Sequence, residues 1–160
     1  MIFITVGTQK FQFNRLLKEI DKLIEEKKIF EEVFAQIGYS TYKPKNYSFK
    51  EFINSEEYND ILNKADIVIT HGGTGTIIKS INLRKKVIAV PRLKAFGEHV
   101  DNHQIQIISE FSDIGFLRKV HDIDKLYEAL ESIRNFDVKE YISNTKNIIF
   151  EIEKYIEGEM

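Results

Sequence analysis

The apolar run Asp66-Ile67-Val68-Ile69-Thr70 stops at His71-Gly72-Gly73-Thr74-Gly75-Thr76, and a second apolar run, Val87–Val90, follows. This pair constrains the fold most. Apolar runs without alternation read as strands buried on both faces, the mark of a parallel sheet covered by helices. Two such strands in succession need a crossover, and Thr76 to about Arg84 reads as its helix.

The rest of the chain repeats the theme. Ile2–Val6 reads as a strand broken by Gly7-Thr8-Gln9. Asn14 can cap a helix carrying Leu16, Leu17, Ile20, Leu23 and Ile24 at helical spacing. Glu32–Ile37 reads as a strand closed by Gly38, Tyr39–Tyr47 as a loop and Ser48–Phe52 as a short extended piece. Ser55 can cap a helix to about Lys64, with Tyr58, Ile61 and Leu62 inward. Pro91 ends the Val87 strand, and a loop runs from Arg92 to Gly97. His99–Phe111 reads as a helix, with Val100, Ile105, Ile107 and Ile108 available for packing. Phe116-Leu117 reads as a short strand, Asp122–Arg134 as a helix and Val138–Ile156 as a long amphipathic one. The expected architecture is α/β: one domain over 1–160, a doubly wound parallel sheet of about six strands. Such sheets bind ligands beyond the carboxyl ends of their strands, where Gly7-Thr8, Gly38-Tyr39, His71–Gly75 and Pro91–Glu98 would converge.

Composition narrows the chemistry. A net charge of −2 gives no basic surface for nucleic acid. With no cysteine there is no disulfide framework, thiolate metal site or cysteine nucleophile, which fits a reducing compartment. The amino terminus is apolar from Met1, lacks a basic lead-in and reads as a strand rather than a signal peptide. No apolar run approaches the ~20 residues that cross a bilayer, so membrane contact is expected through a surface or a partner.

The glycine-threonine turn suits a diphosphate without a metal. Glycine lets backbone approach a ligand, the new helix points free N–H groups and its positive dipole end outward, and threonines add hydroxyls. A plain tight turn capped by Thr74 is the simpler reading, but three glycines in four residues exceed what a cap needs. A P-loop is excluded because no lysine lies in the turn. Binding of NAD is disfavoured because Gly7-Thr8-Gln9-Lys10 follows the first strand instead of a dinucleotide fingerprint.

Downstream, Glu98-His99-Val100-Asp101-Asn102-His103-Gln104 is dense in hydrogen-bonding groups and reads equally as a sugar clamp or as a polar helix start. His99 and His103 stand four apart, but no third metal ligand accompanies them. Asp122-Ile123-Asp124 has a metal–nucleotide spacing, yet its place before a helix favours capping. The stripe Ile142, Ile148, Ile149, Ile152, Tyr155 and Ile156 favours packing on the chain's own sheet over binding a partner.

Taken together, Thr5-Val6-Gly7-Thr8, Ala65-Asp66, His71–Thr76, Pro91 and Asp101-Asn102-His103-Gln104 resemble the carboxyl-terminal, donor-binding domain of family-28 glycosyltransferases. The likeness is to the free-standing small subunits. These include the catalytic subunit of the dolichol-linked N-acetylglucosamine transferase and bacterial exopolysaccharide and capsule subunits. The resemblance implies a Rossmann-like half of a GT-B enzyme, inverting and metal-free, with no cofactor beyond the UDP-sugar donor. It also implies a membrane-anchored partner subunit that brings the lipid-linked acceptor, and a cytoplasmic chain held at the inner membrane face by that partner. Nucleic acid has no part in it. Gly7, Thr8, His71, Gly73, Thr74, Gly75, Thr76, Glu98, Asn102, His103 and Gln104 would then line the donor site. Many relatives carry a glutamate for the ribose hydroxyls where this chain has Lys79, which cannot accept hydrogen bonds, so either another residue holds the ribose, with Glu98 the candidate, or nucleotide binding is altered.

Glycosyl transfer needs a stabilised leaving group, a held sugar and a base. His71 and His103 are the candidate bases here, while the resemblance assigns the base to the partner. Three functions remain open: catalytic subunit of a two-subunit transferase, non-catalytic nucleotide-sugar-binding subunit, or stand-alone enzyme on another phosphorylated ligand.

Overall fold

The structure is a computed structural model, and it describes residues 1–139. Six strands alternate with five helices: β1 Ile2–Thr5, α1 Asn14–Glu25, β2 Val33–Gln36, β3 Ser48–Lys50, α2 Ser55–Lys64, β4 Ile67–Thr70, α3 Thr74–Asn82, β5 Lys86–Ala89, α4 His103–Ile114, β6 Arg118–Lys119 and α5 Leu126–Arg134. All neighbouring strands are parallel, in the order β3-β2-β1-β4-β5-β6. This is the doubly wound order, and its switch point lies between β1 and β4. Thr5 pairs with Thr70 at that point, so Gly7 and His71 leave the sheet side by side.

Strand residues alternate between two cores, as a two-residue side-chain period requires. Ile2, Ile4, Ile67, Ile69, Ile88 and Val90 pack with Leu16, Leu17, Ile20 and Leu23 of α1 and Leu130 and Ile133 of α5. On the other face Phe3 and Val68 meet Leu62 of α2, and Val87 and Ala89 meet Ile77 and Ile81 of α3 and Ile108 and Phe111 of α4. Truncating such a residue to alanine costs about 2–5 kcal/mol.

Element order follows the sequence reading, while several ends differ for local reasons. Asn14 does not cap α1. Its Oδ1 accepts the Tyr42 amide at 2.9 Å and its Nδ2 donates to Thr41 Oγ1 at 2.8 Å, so it serves a loop instead. Asn54, not Ser55, caps α2 by accepting the Glu57 amide at 2.8 Å. Helix α3 starts at Thr74, two residues early, and α4 starts at His103, four residues late. Phe116 and Leu117 are core residues, and the last strand is Arg118–Lys119. Asp122 caps a single 3-10 turn, Ile123–Lys125, ahead of α5, in line with the capping role. The helix expected over 138–156 and its apolar stripe lie outside the described residues, apart from positions 138 and 139.

Helix α1 also anchors the loop after β2. The buried Asp21 carboxylate accepts the Tyr42 hydroxyl at 2.6 Å and the amides of Lys45 and Asn46 at 2.7 and 2.8 Å.

Candidate functional site

The crevice at the carboxyl ends of β1 and β4 is built around His71. Gly7 has a φ of +74°, a left-handed conformation that glycine adopts at little cost. A Cβ at Gly7 would fall 2.6 Å from His71 Cε1, and one at Gly73 would fall 2.5 Å from His71 Nε2. The imidazole therefore fills a slot between two glycines from two separate turns. Gly72 has a third reason, since a Cβ there would stand 2.6 Å from Gln104 Cβ. Gly75, unlike Gly7, Gly72 and Gly73, faces open space, with nothing within 4 Å of its missing Cβ. Of the three glycines expected at the donor site, Gly7 and Gly73 thus make room for the protein's own His71, and Gly75 leaves its space open.

His71 is buried, with Nδ1 3.4 Å from Thr70 Oγ1. Burial, then the Arg92 charge, push its pKa down to about 4, and the Thr5 carbonyl opposes the shift. It is neutral at neutral pH.

Helix α3 begins at the slot. Its cap is Gly73, which has no side chain, and no side chain caps the first turn. Capping by Thr74 is therefore not what the turn provides. The first N–H groups and the positive end of the helix dipole remain for something outside the fold. Thr76 is half-buried, and its carbonyl takes the Ser80 hydroxyl at 2.8 Å. Thr8 is exposed on the neighbouring β1 turn.

The polar segment behaves differently. Gln104 is buried, and its Oε1 accepts the amides of Arg92 at 2.9 Å and Gly72 at 3.2 Å, welding the two turns together. Glu98 is 0% exposed and grips Arg15 through Nε at 3.0 Å and Nη2 at 2.9 Å, while it accepts the Leu93 amide at 2.9 Å. It braces the loop and has no oxygen turned to a ribose, which corrects the substitution expected for Lys79. Asp101 accepts the His103 amide at 3.0 Å and lies 3.1 Å from His99 Nδ1. Asn102 accepts the Lys94 amide at 3.0 Å. The ring of His103 is exposed and makes no hydrogen bond among the described residues. His99 packs against Phe11 with ring centroids 4.9 Å apart. Among the described residues no His, Asp or Glu cluster could hold a metal ion.

Lys79 turns to α2, where its Nζ donates to Asn59 Oδ1 and lies 4.9 Å from the centre of the Tyr58 ring.

Two features escaped the sequence reading. Arg92, read only as the first residue of a loop, is wholly buried beneath the crevice. Its signal was a charged residue directly after an apolar strand and its terminal proline. Tyr39 and Phe52, exposed after β2 and β3, form an edge-to-face pair at 5.2 Å on the same sheet edge. Their signal was an aromatic residue just beyond each strand, where apolar side chains have no core to enter.

Residues 1–157 match the model of the glycosyltransferase family 28 C-terminal domain. The UDP-N-acetylglucosamine transferase subunit ALG13 of Kluyveromyces lactis is 37% identical over 92 residues, 57% of this chain and 44% of that protein. Its counterpart from Debaryomyces hansenii is 27% identical over 149 residues, 88% of this chain and 64% of that protein. The chain thus spans less than two thirds of the length of these relatives. A solution structure of ALG13 superposes with a TM-score of 0.59 at 19% identity, covering 88% of each chain. The Acinetobacter baumannii MurG crystal structure gives 0.57 at 17% identity, covering 82% of this chain and 41% of that one. These likenesses agree with the fold described above. The chain belongs to the glycosyltransferase family 28 C-terminal domain family.

Proposed function

We propose that this family-28 domain is the donor-binding catalytic subunit of a two-subunit inverting glycosyltransferase. Its donor is a UDP-sugar, with UDP-N-acetylglucosamine first among the candidates because the relatives are named for it. The observation that carries the reading is the start of α3. An uncapped helix amino terminus opens onto the sheet's switch point, beside an unobstructed Gly75. That arrangement holds a diphosphate and stabilises the charge that grows on it as the glycosidic bond breaks. It needs no metal to do so.

Thr74, Gly75 and Thr76 supply this anion site, Thr8 borders it, and the exposed His103 ring is the member of the polar segment left to meet the sugar. Tyr39 and Phe52 offer an aromatic face for the base. The acceptor hydroxyl comes from a lipid-linked sugar presented by a membrane-anchored partner, which also brings the catalytic base. The chain then works at the inner face of the membrane through that partner. The lipid-linked acceptor and the cell-surface polysaccharide setting rest on the sequence resemblance. The names of the relatives support a sugar nucleotide and a subunit.

Thermal unfolding with UDP-N-acetylglucosamine tests the donor. At 100 times Kd the ligand should stabilise the chain by about 2.7 kcal/mol. No shift with any UDP-sugar would sink the proposal. The second reading is a non-catalytic subunit, since Lys79 engages α2 and offers a ribose no acceptor. Reconstitution with the partner separates the two: His103→Ala or Thr74→Ala that leaves transfer intact would make this chain a binding subunit only.

A further inference from the structure

Beneath the crevice lies a charge cluster that does not balance. Arg92 and Arg15 both approach one aromatic ring, their guanidinium carbons 5.4 and 5.5 Å from the centre of Phe13. Glu98 is the one carboxylate that hydrogen-bonds within the cluster, and its contacts go to Arg15 and the Leu93 amide. Arg92 is 0% exposed and donates only from Nη2, to the Phe11 carbonyl at 3.0 Å. Its Nε and Nη1 are buried without a partner. Glu98 is taken up by the partly exposed Arg15, so the Arg92 charge stays in the interior without a hydrogen-bonded carboxylate.

Burying such a charge and two unmatched donors is costly, and native folds rarely keep them without a use. The placement supplies the use. Arg92's own amide shares Gln104 Oε1 with the Gly72 amide, so Arg92 is tied directly to the turn that starts α3. Its charge reaches His71, whose ring touches Gly73, the cap of α3. His99 is the other titratable group acting on His71, with the Thr5 carbonyl and the Thr70 hydroxyl as neutral neighbours. No lysine stands in the turn.

We propose that Arg92 is a positioning residue for the diphosphate of the bound nucleotide, an interior cation that attracts the ligand to the start of α3 through space, without touching it. This rests on the nucleotide-sugar reading above. A buried charge acts through protein rather than water, so salt screens it little and it acts at a distance that would silence a surface lysine. It also keeps the positive charge away from the reacting centre, where the helix amides and the threonine hydroxyls meet the diphosphate.

The test is a charge series. Uridine, UMP and UDP are titrated calorimetrically into the wild-type chain, Arg92→Gln and Arg92→Lys. Arg92→Gln should weaken UDP on the order of tenfold, UMP less, and uridine by no more than about twofold. Arg92→Lys, which keeps the charge, should restore most of the UDP affinity. Equal loss for all three ligands would mean a structural role, and no loss would mean none; either overturns the inference. Should Arg92→Gln not fold, Glu98→Gln decides by the opposite sign. Removing the one anion should tighten UDP and leave uridine unchanged, and any other result for UDP overturns the inference. A wild-type chain that binds none of the three removes the nucleotide reading itself, and this inference with it.

Discussion

The glycine turn and the polar segment lie on the same edge of the sheet, and both are rich in hydrogen-bonding groups. They differ in what they leave over. In the turn His71–Thr76 side chains are few, and the helix start keeps its amides uncapped. In the segment Glu98–Gln104 side chains are many, and Glu98, Asp101, Asn102 and Gln104 all accept amides of the chain itself. Polar density therefore measures construction, and unsatisfied backbone measures availability. A ligand site is found by asking which groups the fold has not already used.

Substitutions can break this contrast. The largest effect is expected for Glu98→Ala, which strips Arg15 and the Leu93 amide of their carboxylate and removes the negative charge that acts on Arg92. Chemical denaturation should show a loss of about 3–5 kcal/mol. If Glu98 were a ligand group in an otherwise self-sufficient loop, stability would hardly change.

Next is a pH dependence centred on the turn. His71 has a folded pKa of about 4, lowered from 6.5. The folded state refuses a proton that the unfolded chain takes up, so the associated stability is complete above pH 6.5 and is lost as pH falls through 4. Its size is about 3 kcal/mol at most. Denaturation midpoints measured across that window should fall in the wild type and flatten in His71→Gln.

Gly7→Ala should cost about 2 to 3 kcal/mol, since it combines a left-handed backbone with the clash on His71. Gly75→Ala, in open space within the helix, should be neutral or stabilise by up to about 1 kcal/mol. Equal effects at the two glycines would erase the distinction between glycines that seat His71 and the one that faces open space. Gln104→Ala leaves the Gly72 and Arg92 amides unpaired and should cost about 1–3 kcal/mol. The smallest effect is that of His103→Ala, within about 0.5 kcal/mol of wild type in stability, while UDP-sugar affinity drops.

The sequence made the alternation of elements legible because the four central strands are short apolar runs closed within two residues by glycine or proline, while the edge strands Ser48–Lys50 and Arg118–Lys119 are not. Ile67–Thr70 and Lys86–Ala89 lie within a residue of the expected strands. The start of α4 was misplaced because His99 and Asp101 bond to each other and delay the helix, a contact no periodicity encodes. The polar segment looked like a clamp because the groups that engage it are distant in the chain: Arg15 to Glu98 spans 83 residues and Gly72 to Gln104 spans 32. Arg92 was invisible for a simpler reason. Arginine after a strand reads as surface, and only packing reveals it as interior.

Helix α1 reaches both banks of the crevice. Asn14 and Asp21 hold the loop after β2, and Arg15 holds Pro91 and Glu98 beyond β5. Mechanically it is a single crossbeam fastened at both walls. Neither wall can swing outward alone without dragging the beam or tearing a fastening, so the gap's width is fixed by one helix. A substrate too broad for that gap has to be accommodated by what lies above the crevice, because the span beneath it is braced.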